Sequence, residues 1–483
     1  MDKDIKITPK QLAKAMDADY QKLVLQVSAA VNEAPDGAVI SGSEELVRET
    51  MARFRQKVYE KAIQLRTQAA QVAFSPRKNK KRQRWKNKGP QAVQHLTANG
   101  TIRIRRTIYW CREEGTDSQM DRWLGIADKS VSVAARELCC RVTITGPSFR
   151  KSAESLERLA QIRISSNRLR QIVEDEGQRA LKVRDKGLIR PGWDALDCKT
   201  NADGPTHVIV GADGVMVPLV TQSEKHKRRK NRRTRCRKRA KRNGRAVHRR
   251  RAKRKRKRYR GADNPYKEFK IVTFYDRANE HQHAVGTAGN HEALGRLMRR
   301  EATKLKFNQA DEKISVSDGA EWIRKQLEAK LPMLNGKILD FYHLSEHIWS
   351  AANTCFNQGS QQAKDFASEV LHITKHEGPT ALLTRLMDER KKYRSKGKRK
   401  SLKEVIQYIA RRFEMCDYPK FIERGWQIGS GPTEAFCKTL TARLKGSGMR
   451  WDSPNAEGIM ALAAMDQSGQ WQTYWNLQNA VAA

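Results

Sequence analysis

The sequence predicts a multidomain α/β protein: mostly helical, basic N-terminal modules, then a mixed sheet with flanking helices that an all-helical insertion interrupts. Three observations predict it. The chain has 483 residues, more than one core usually holds. Between residues 205 and 349, short apolar β-rich runs alternate with helical patterns. Residues 350–425 then read as helical throughout, and no comparable strand pattern follows.

Charge narrows the partner. Lys and Arg number 96 against 53 Asp and Glu, a formal net charge of +43 with 38% hydrophobic residues. Such self-repulsion opposes compaction unless a polyanion neutralises it, so nucleic acid is the first partner expected and an anionic membrane surface the second. No apolar run reaches the ~18 residues of a spanning helix, and the start, "MDKDIKITPKQLAKAMD", lacks the apolar core of a signal peptide. The expectation is a cytoplasmic, nucleoid-associated protein with no membrane partner. Eight scattered cysteines without a C-x-x-C pair read as reduced thiols rather than a disulfide framework or a Cys-rich zinc site.

Residues 1–90 read as polar helices ending in the basic cluster "PRKNKKRQRWKNKGP", a flexible linker able to touch DNA. Within 91–200, "GTIRIRRTIYW" alternates Ile with Arg and predicts a strand with one apolar and one cationic face, suited to lie along phosphates. From Ser148 two helices with a short break follow, the second capped by Ser165 or Ser166. This matches a helix-turn-helix with Asn167, Arg168 and Arg170 where base edges are usually read, although two packed helices give the same pattern.

Strands are predicted at His207–Leu219, Phe269–Tyr275, Lys313–Asp318 and Lys337–Tyr342, with helices at 291–306 and 320–330. An insert over 222–262 interrupts this block. Its stretch from Lys225 to Arg260 holds 24 Lys or Arg in 36 residues and no acid, so it is expected to be disordered when free. Arg228 and Arg229 lie in it, as part of a salt-sensitive phosphate clamp blind to base sequence.

Two acids interrupt apolar runs: Asp213 in "HVIVGADGVMVPL" and Asp318 in "KISVSDGAEWI". An Asp-Gly pair after a strand is commonly a turn. Two carboxylates on neighbouring buried strands, however, repel and lose hydration unless a cation binds between them, and Mg²⁺, a hard ion that keeps positions for water and phosphate, suits the role. A third acid is available in residues 426–483. Gly431, Pro432 and Thr433 look like a helix start, which places Glu434 in its first turn, where a carboxylate also complements the helix dipole. Lys438, Arg443, Lys445 and Arg450 follow it as candidate phosphate contacts.

In this order "GADGVMVPL", "SVSDGAEWI", "ILDFYHLSEHIW" and "GWQIGSGPTEAFCKTLTARLKGSGMRW" resemble the catalytic blocks of bacterial insertion-sequence transposases of the DDE type, especially the ISKra-like branch related to Mutator-like elements. The resemblance covers about residues 205–475. It implies a ribonuclease H-like catalytic core, with Asp213, Asp318 and Glu434 as catalytic, metal-holding acids and residues 350–425 as the insertion before the glutamate helix. "DFYH" is similar to the Asp-x-x-His signature of related transposases, which implies a supporting role for Asp340 and His343. The implied cofactor is Mg²⁺, with Mn²⁺ as an alternative. Two ions would activate water and stabilise the leaving oxygen, first cutting the transposon end and then joining its 3′-hydroxyl to target DNA. The implied partners are transposon-end and target DNA and further copies of this chain. The branch carries an N-terminal Cys pair, but here "YWCREEG" retains only Cys111, so no zinc ribbon is expected.

Other readings remain. "HLSEH", His343–His347, fits the inverted zincin pattern, with Glu346 as base. A DNA-binding protein without catalysis, or a structure-specific nuclease of the same fold, also fits the charge.

Overall fold

Caps and strand pairing set the element boundaries. The computed structural model describes residues 6–70, 85–112, 115–126, 130–201, 204–244 and 263–482. These divide into two compact units, residues 1–176 with 472–483 and residues 177–471.

In the first unit, α1 (Pro9–Asn32) opens with Pro in its first turn and a reciprocal cap between Thr8 and Gln11, which satisfies two otherwise unpaired N–H groups. It packs against α2 (Val39–Ala70). β1 (Lys86–Thr97) and β2 (Gly100–Cys111) form an antiparallel hairpin that β3 (Gly115–Asp117) extends. In β2, Ile102 and Ile104 are buried while Arg103 and Arg105 are exposed, the two-faced strand that the alternation predicts. The basic cluster differs from expectation in part: Lys86–Pro90 belongs to β1, because pairing with β2 supplies partners for its backbone. Residues 76–84 of that cluster lie outside the described residues.

Short α3 (Gln119–Trp123) and longer α4 (Val133–Thr145) lead to α5 (Phe149–Ala160) and α6 (Ser166–Lys186), the predicted helix pair. Ser165 caps α6 by accepting from the Arg168 N–H at 3.3 Å. A buried pair, Arg136 with Glu176 at 2.6 Å, to which Tyr474 also donates at 2.6 Å, joins α4, α6 and the C-terminal helix within this unit.

The second unit is built on a five-stranded sheet. Its strands are β4 (His207–Pro218), β5 (Tyr266–Asp276), β6 (Gln282–Thr287), β7 (Glu312–Ser317) and β8 (Gly336–Leu339), in the order β6-β5-β4-β7-β8. β4, β5 and β6 pair antiparallel, and β7 and β8 continue parallel to β4. β4 is central, and His207–Ala212 are buried on both faces, so the run reads as continuously apolar. The strand expectation for Lys337–Tyr342 stops early, because Asp340 caps a helix instead. β6 was not anticipated; its six residues, "QHAVGT", carry no strong strand pattern.

Between β4 and β5 stands α7 (Gln222–Arg242). The expected disorder over 222–262 is therefore corrected for this part: Lys and Arg are good helix formers, and Thr221 with Glu224 closes a capping box. Residues 245–262 lie outside the described residues. α8 (His291–Lys304) and α9 (Glu321–Lys330) cover one sheet face, packing Leu294, Met298, Ile323 and Leu327 on Val208, Val210, Val272 and Phe274. On the other face, Ile209, Tyr275, Ile314 and Val316 meet α10 (Phe341–Phe356), α11 (Gln361–His376), α12 (Pro379–Lys391), α13 (Lys396–Ala410) and α14 (Tyr418–Glu423). The helical block thus starts at Phe341, ahead of residue 350. α15 (Gly431–Ala442) and α16 (Ser453–Gln467) complete the unit. Among the described residues, no helix is long and apolar enough to cross a membrane.

Candidate functional site

Asp213 and Asp318 come together because β4 and β7 run parallel. The ladder pairs Gly211 with Val316, and each acid stands two residues further along its own strand. Side chains alternate, so both point to the face bearing Ile209, Ile314 and Val316, on strands about 4.8 Å apart. Asp213 lies within a continuous strand opposite Ile271 of β5, whereas Asp318 follows the end of β7. Both are half-buried.

α15 crosses this same face. Thr433 occupies the place where a side chain on Gly211 would stand: a Cβ there would lie 1.9 Å from the Thr433 hydroxyl. Thr433 and Thr273 share a hydrogen bond at 2.9 Å, which fixes the helix over β4 and β5. One turn on, the Cys437 thiol is buried within electrostatic reach of the Asp213 carboxylate. Gly431 and Pro432 start the helix and Glu434 is in its first turn, as the sequence predicts.

Electrostatics at Asp213 reflects this convergence. Burial raises its carboxyl above the ordinary value, the Gly214 N–H at 2.6 Å pulls it back, and negative charge at Asp318 and then Glu434 pushes it up again. The Cys437 thiol is held well above its usual range, by burial first and by Asp213 next. The negative charges of Asp318 and Glu434 therefore both reach Asp213.

The donor set suits a hard cation in chemistry: carboxylate oxygens, with Asp213 inside a strand and Asp318 just past the end of the next. Yet among the described residues no group of three or more His, Cys, Asp or Glu side chains stands ready to hold a metal ion. The Glu434 side chain is 54% exposed and lies 3.5 Å from Lys438.

Asp340 is 2% exposed and wholly engaged. One oxygen caps α10 through the N–H groups of Tyr342 and His343, at 2.7 and 3.0 Å; the other accepts from the Ser430 N–H at 2.7 Å and from the Ser430 hydroxyl. It thus ties the start of α10 to the start of the Glu434 helix. His343 is 3.6 Å from Glu346, and the His347 ring packs 4.1 Å from that of Tyr408. Burial holds the His347 pKa below its ordinary value, helped by His343 and Arg412.

The predicted phosphate contacts separate. Lys438, Lys445 and Arg450 are exposed, with Arg450 2.8 Å from Glu224. Arg443 is corrected: it is 5% exposed, stacks 5.2 Å from the Trp451 ring centre and has its pKa lowered by burial to about 10. It packs the end of α15 rather than meeting solvent. In the first unit, Asn167, Arg168 and Arg170 are exposed on the first turns of α6; Arg168 donates to Ser130 at 2.6 Å and Arg170 is 3.7 Å from Glu174. Arg228 and Arg229 are exposed on α7.

Two residues that sequence reasoning missed grip the Asp318 turn. Tyr408 donates to the Asp318 carbonyl at 2.8 Å, and the Arg412 Nε donates to the Gly319 carbonyl at 2.8 Å. Arg412 also stacks 3.9 Å above the Tyr408 ring. Gly319 has φ +70°, and a Cβ there would meet Arg412 at 2.6 Å. Asp318 itself accepts from the Ala320 N–H at 2.8 Å. No signal near Tyr408 marks it, since its partner lies 90 residues away.

Among curated proteins no match to this chain is found. Over residues 40–231, from α2 through the acid-bearing strand β4 to the first turns of α7, the chain matches the model of an uncharacterised protein family, UPF0236.

Proposed function

We propose that the chain is a DDE transposase that cleaves DNA at transposon ends and transfers the freed 3′-hydroxyl into target DNA, in a Mg²⁺-dependent reaction. The observation that carries the reading is the level placement of Asp213 and Asp318 on adjacent parallel strands, with the Glu434 helix packed over the same face. The sheet order, three antiparallel strands continued by two parallel ones, supports a ribonuclease H-like core, with α10–α14 as its helical insertion.

In this reading Asp213, Asp318 and Glu434 are the residues that would hold the divalent ions. Bound there, Mg²⁺ would supply an ionised water near neutral pH and charge neutralisation at the leaving oxygen. Asp340 positions the glutamate helix through Ser430, and Tyr408 with Arg412 positions Asp318. Exposed Lys438, Lys445 and Arg450 meet phosphate, and α6 presents Arg168 and Arg170 to DNA. Joining two ends requires more than one copy of the chain.

The test is incubation of the purified protein with DNA carrying the flanking repeats of its own locus, with and without Mg²⁺ or Mn²⁺. Metal-dependent nicks at the repeat boundary are expected. DNA binding without any metal-dependent product would instead favour a DNA-binding protein without catalysis.

A further inference from the structure

α7 is a charged surface that the acid site does not use. Thirteen of its 21 residues are Lys or Arg, Glu224 is its one acid, and none of them is buried. Its root is held firmly. Asp263 accepts from the Gln222 and Ser223 N–H groups at 2.5 and 3.0 Å, Arg450 is 2.8 Å from Glu224, and Lys225 is 2.5 Å from Asp452. Beyond this base every charged residue of the helix is Lys or Arg.

The charges go all the way round. At about 100° per residue, Arg228, Arg232, Arg235 and Arg239 share one face, and Lys230, Arg233, Arg237 and Lys241 share the opposite one. A helix that lies on a membrane surface needs an apolar face, and α7 has none. A flat anionic surface would neutralise one face and leave the repulsion on the other. Relief on both requires phosphate on both sides. The major groove of B-form DNA, about 12 Å wide, admits a helix about 10–12 Å across between two phosphate walls. The length of α7, about 30 Å, spans nearly one duplex turn.

We propose that α7 enters the major groove of duplex DNA and is held between its two phosphate backbones. The deep, narrow major groove of an RNA duplex does not admit such a helix, so α7 distinguishes the two duplexes by groove shape. The inference stands apart from the cleavage reading, since it needs none of the three acids.

The experiment measures affinity of the full-length protein for a DNA duplex of about 30 base pairs, and for the RNA duplex of the same sequence, across a salt series. Two variants change four residues each to Gln: one at Arg228, Arg232, Arg235 and Arg239, the other at Lys230, Arg233, Arg237 and Lys241. Gln preserves helix propensity, and circular dichroism checks the fold. Each variant should flatten the slope of log affinity against log salt on DNA by about 3, and equally, while leaving RNA binding unchanged. Arg→Lys changes at the first four sites should retain the slope. A loss confined to one face would mean a flat contact and overturn the proposal. So would equal sensitivity on the RNA duplex, or no change with either variant.

Discussion

Asp213 and Asp318 stand at the same level of neighbouring parallel strands, two residues beyond the paired Gly211 and Val316. Their mutual repulsion is one reason the Asp213 carboxyl is raised, after burial itself. A carboxyl perturbed by burial and by a neighbouring acid is the pattern common at functional centres.

The first prediction concerns chemistry. Asp213→Asn, Asp318→Asn and Glu434→Gln should each lower metal-dependent DNA nicking by at least about 10²-fold while DNA binding persists, by gel-shift and cleavage assays on the same preparations. Wild-type nicking by any one of them removes that residue from the catalytic set.

The raised Asp213 carboxyl also carries a stability prediction. A folded-state pKa above the unfolded value means that the folded protein binds the proton more tightly, so this group's contribution is present at low pH and lost as pH rises through the raised value. Without metal, Asp213→Asn should therefore raise Tm at neutral pH and lose that advantage in acid. Added Mg²⁺ should stabilise the parent protein more than the variant. Thermal melts at several pH values, with and without Mg²⁺, decide it.

Gly211→Ala places a methyl group against Thr433 in the close approach of α15 to β4. Overpacking of this kind costs about 1–3 kcal/mol, read as a lower urea midpoint. Because the helix carries Glu434, nicking should fall further than stability explains. A variant as stable as the parent would mean that α15 moves aside freely.

Tyr408→Phe removes the donor to the Asp318 carbonyl and keeps the ring against His347. A lost buried hydrogen bond costs about 1–3 kcal/mol. If Tyr408 positions Asp318, the metal concentration needed for half-maximal nicking should also rise, which simple destabilisation would not produce. Unchanged metal dependence would assign Tyr408 to stability alone.

Asp340→Asn retains one carbonyl oxygen to cap α10 but turns an NH₂ group toward Ser430, where an N–H already points. Two facing donors in a buried site should cost about 1–3 kcal/mol. Asp340→Asn should accordingly unfold at lower denaturant concentration than a Tyr342→Ala change at the exposed neighbour.

By itself the sequence determined whatever a short window encodes. Apolar runs located β4, β5 and β7, the Gly-Pro start put Glu434 in a first turn, and Ile-Arg alternation drew the two faces of β2. Only the tertiary structure decided which distant groups meet. Strand order makes Asp213 and Asp318 neighbours, folding the insertion back brings Tyr408 and Arg412 onto the Asp318 turn, and packing against Trp451 takes Arg443 out of solvent. The physical reason is range: periodicity and caps act within a few residues, whereas burial and hydrogen bonding join groups whose separation along the chain leaves no local trace.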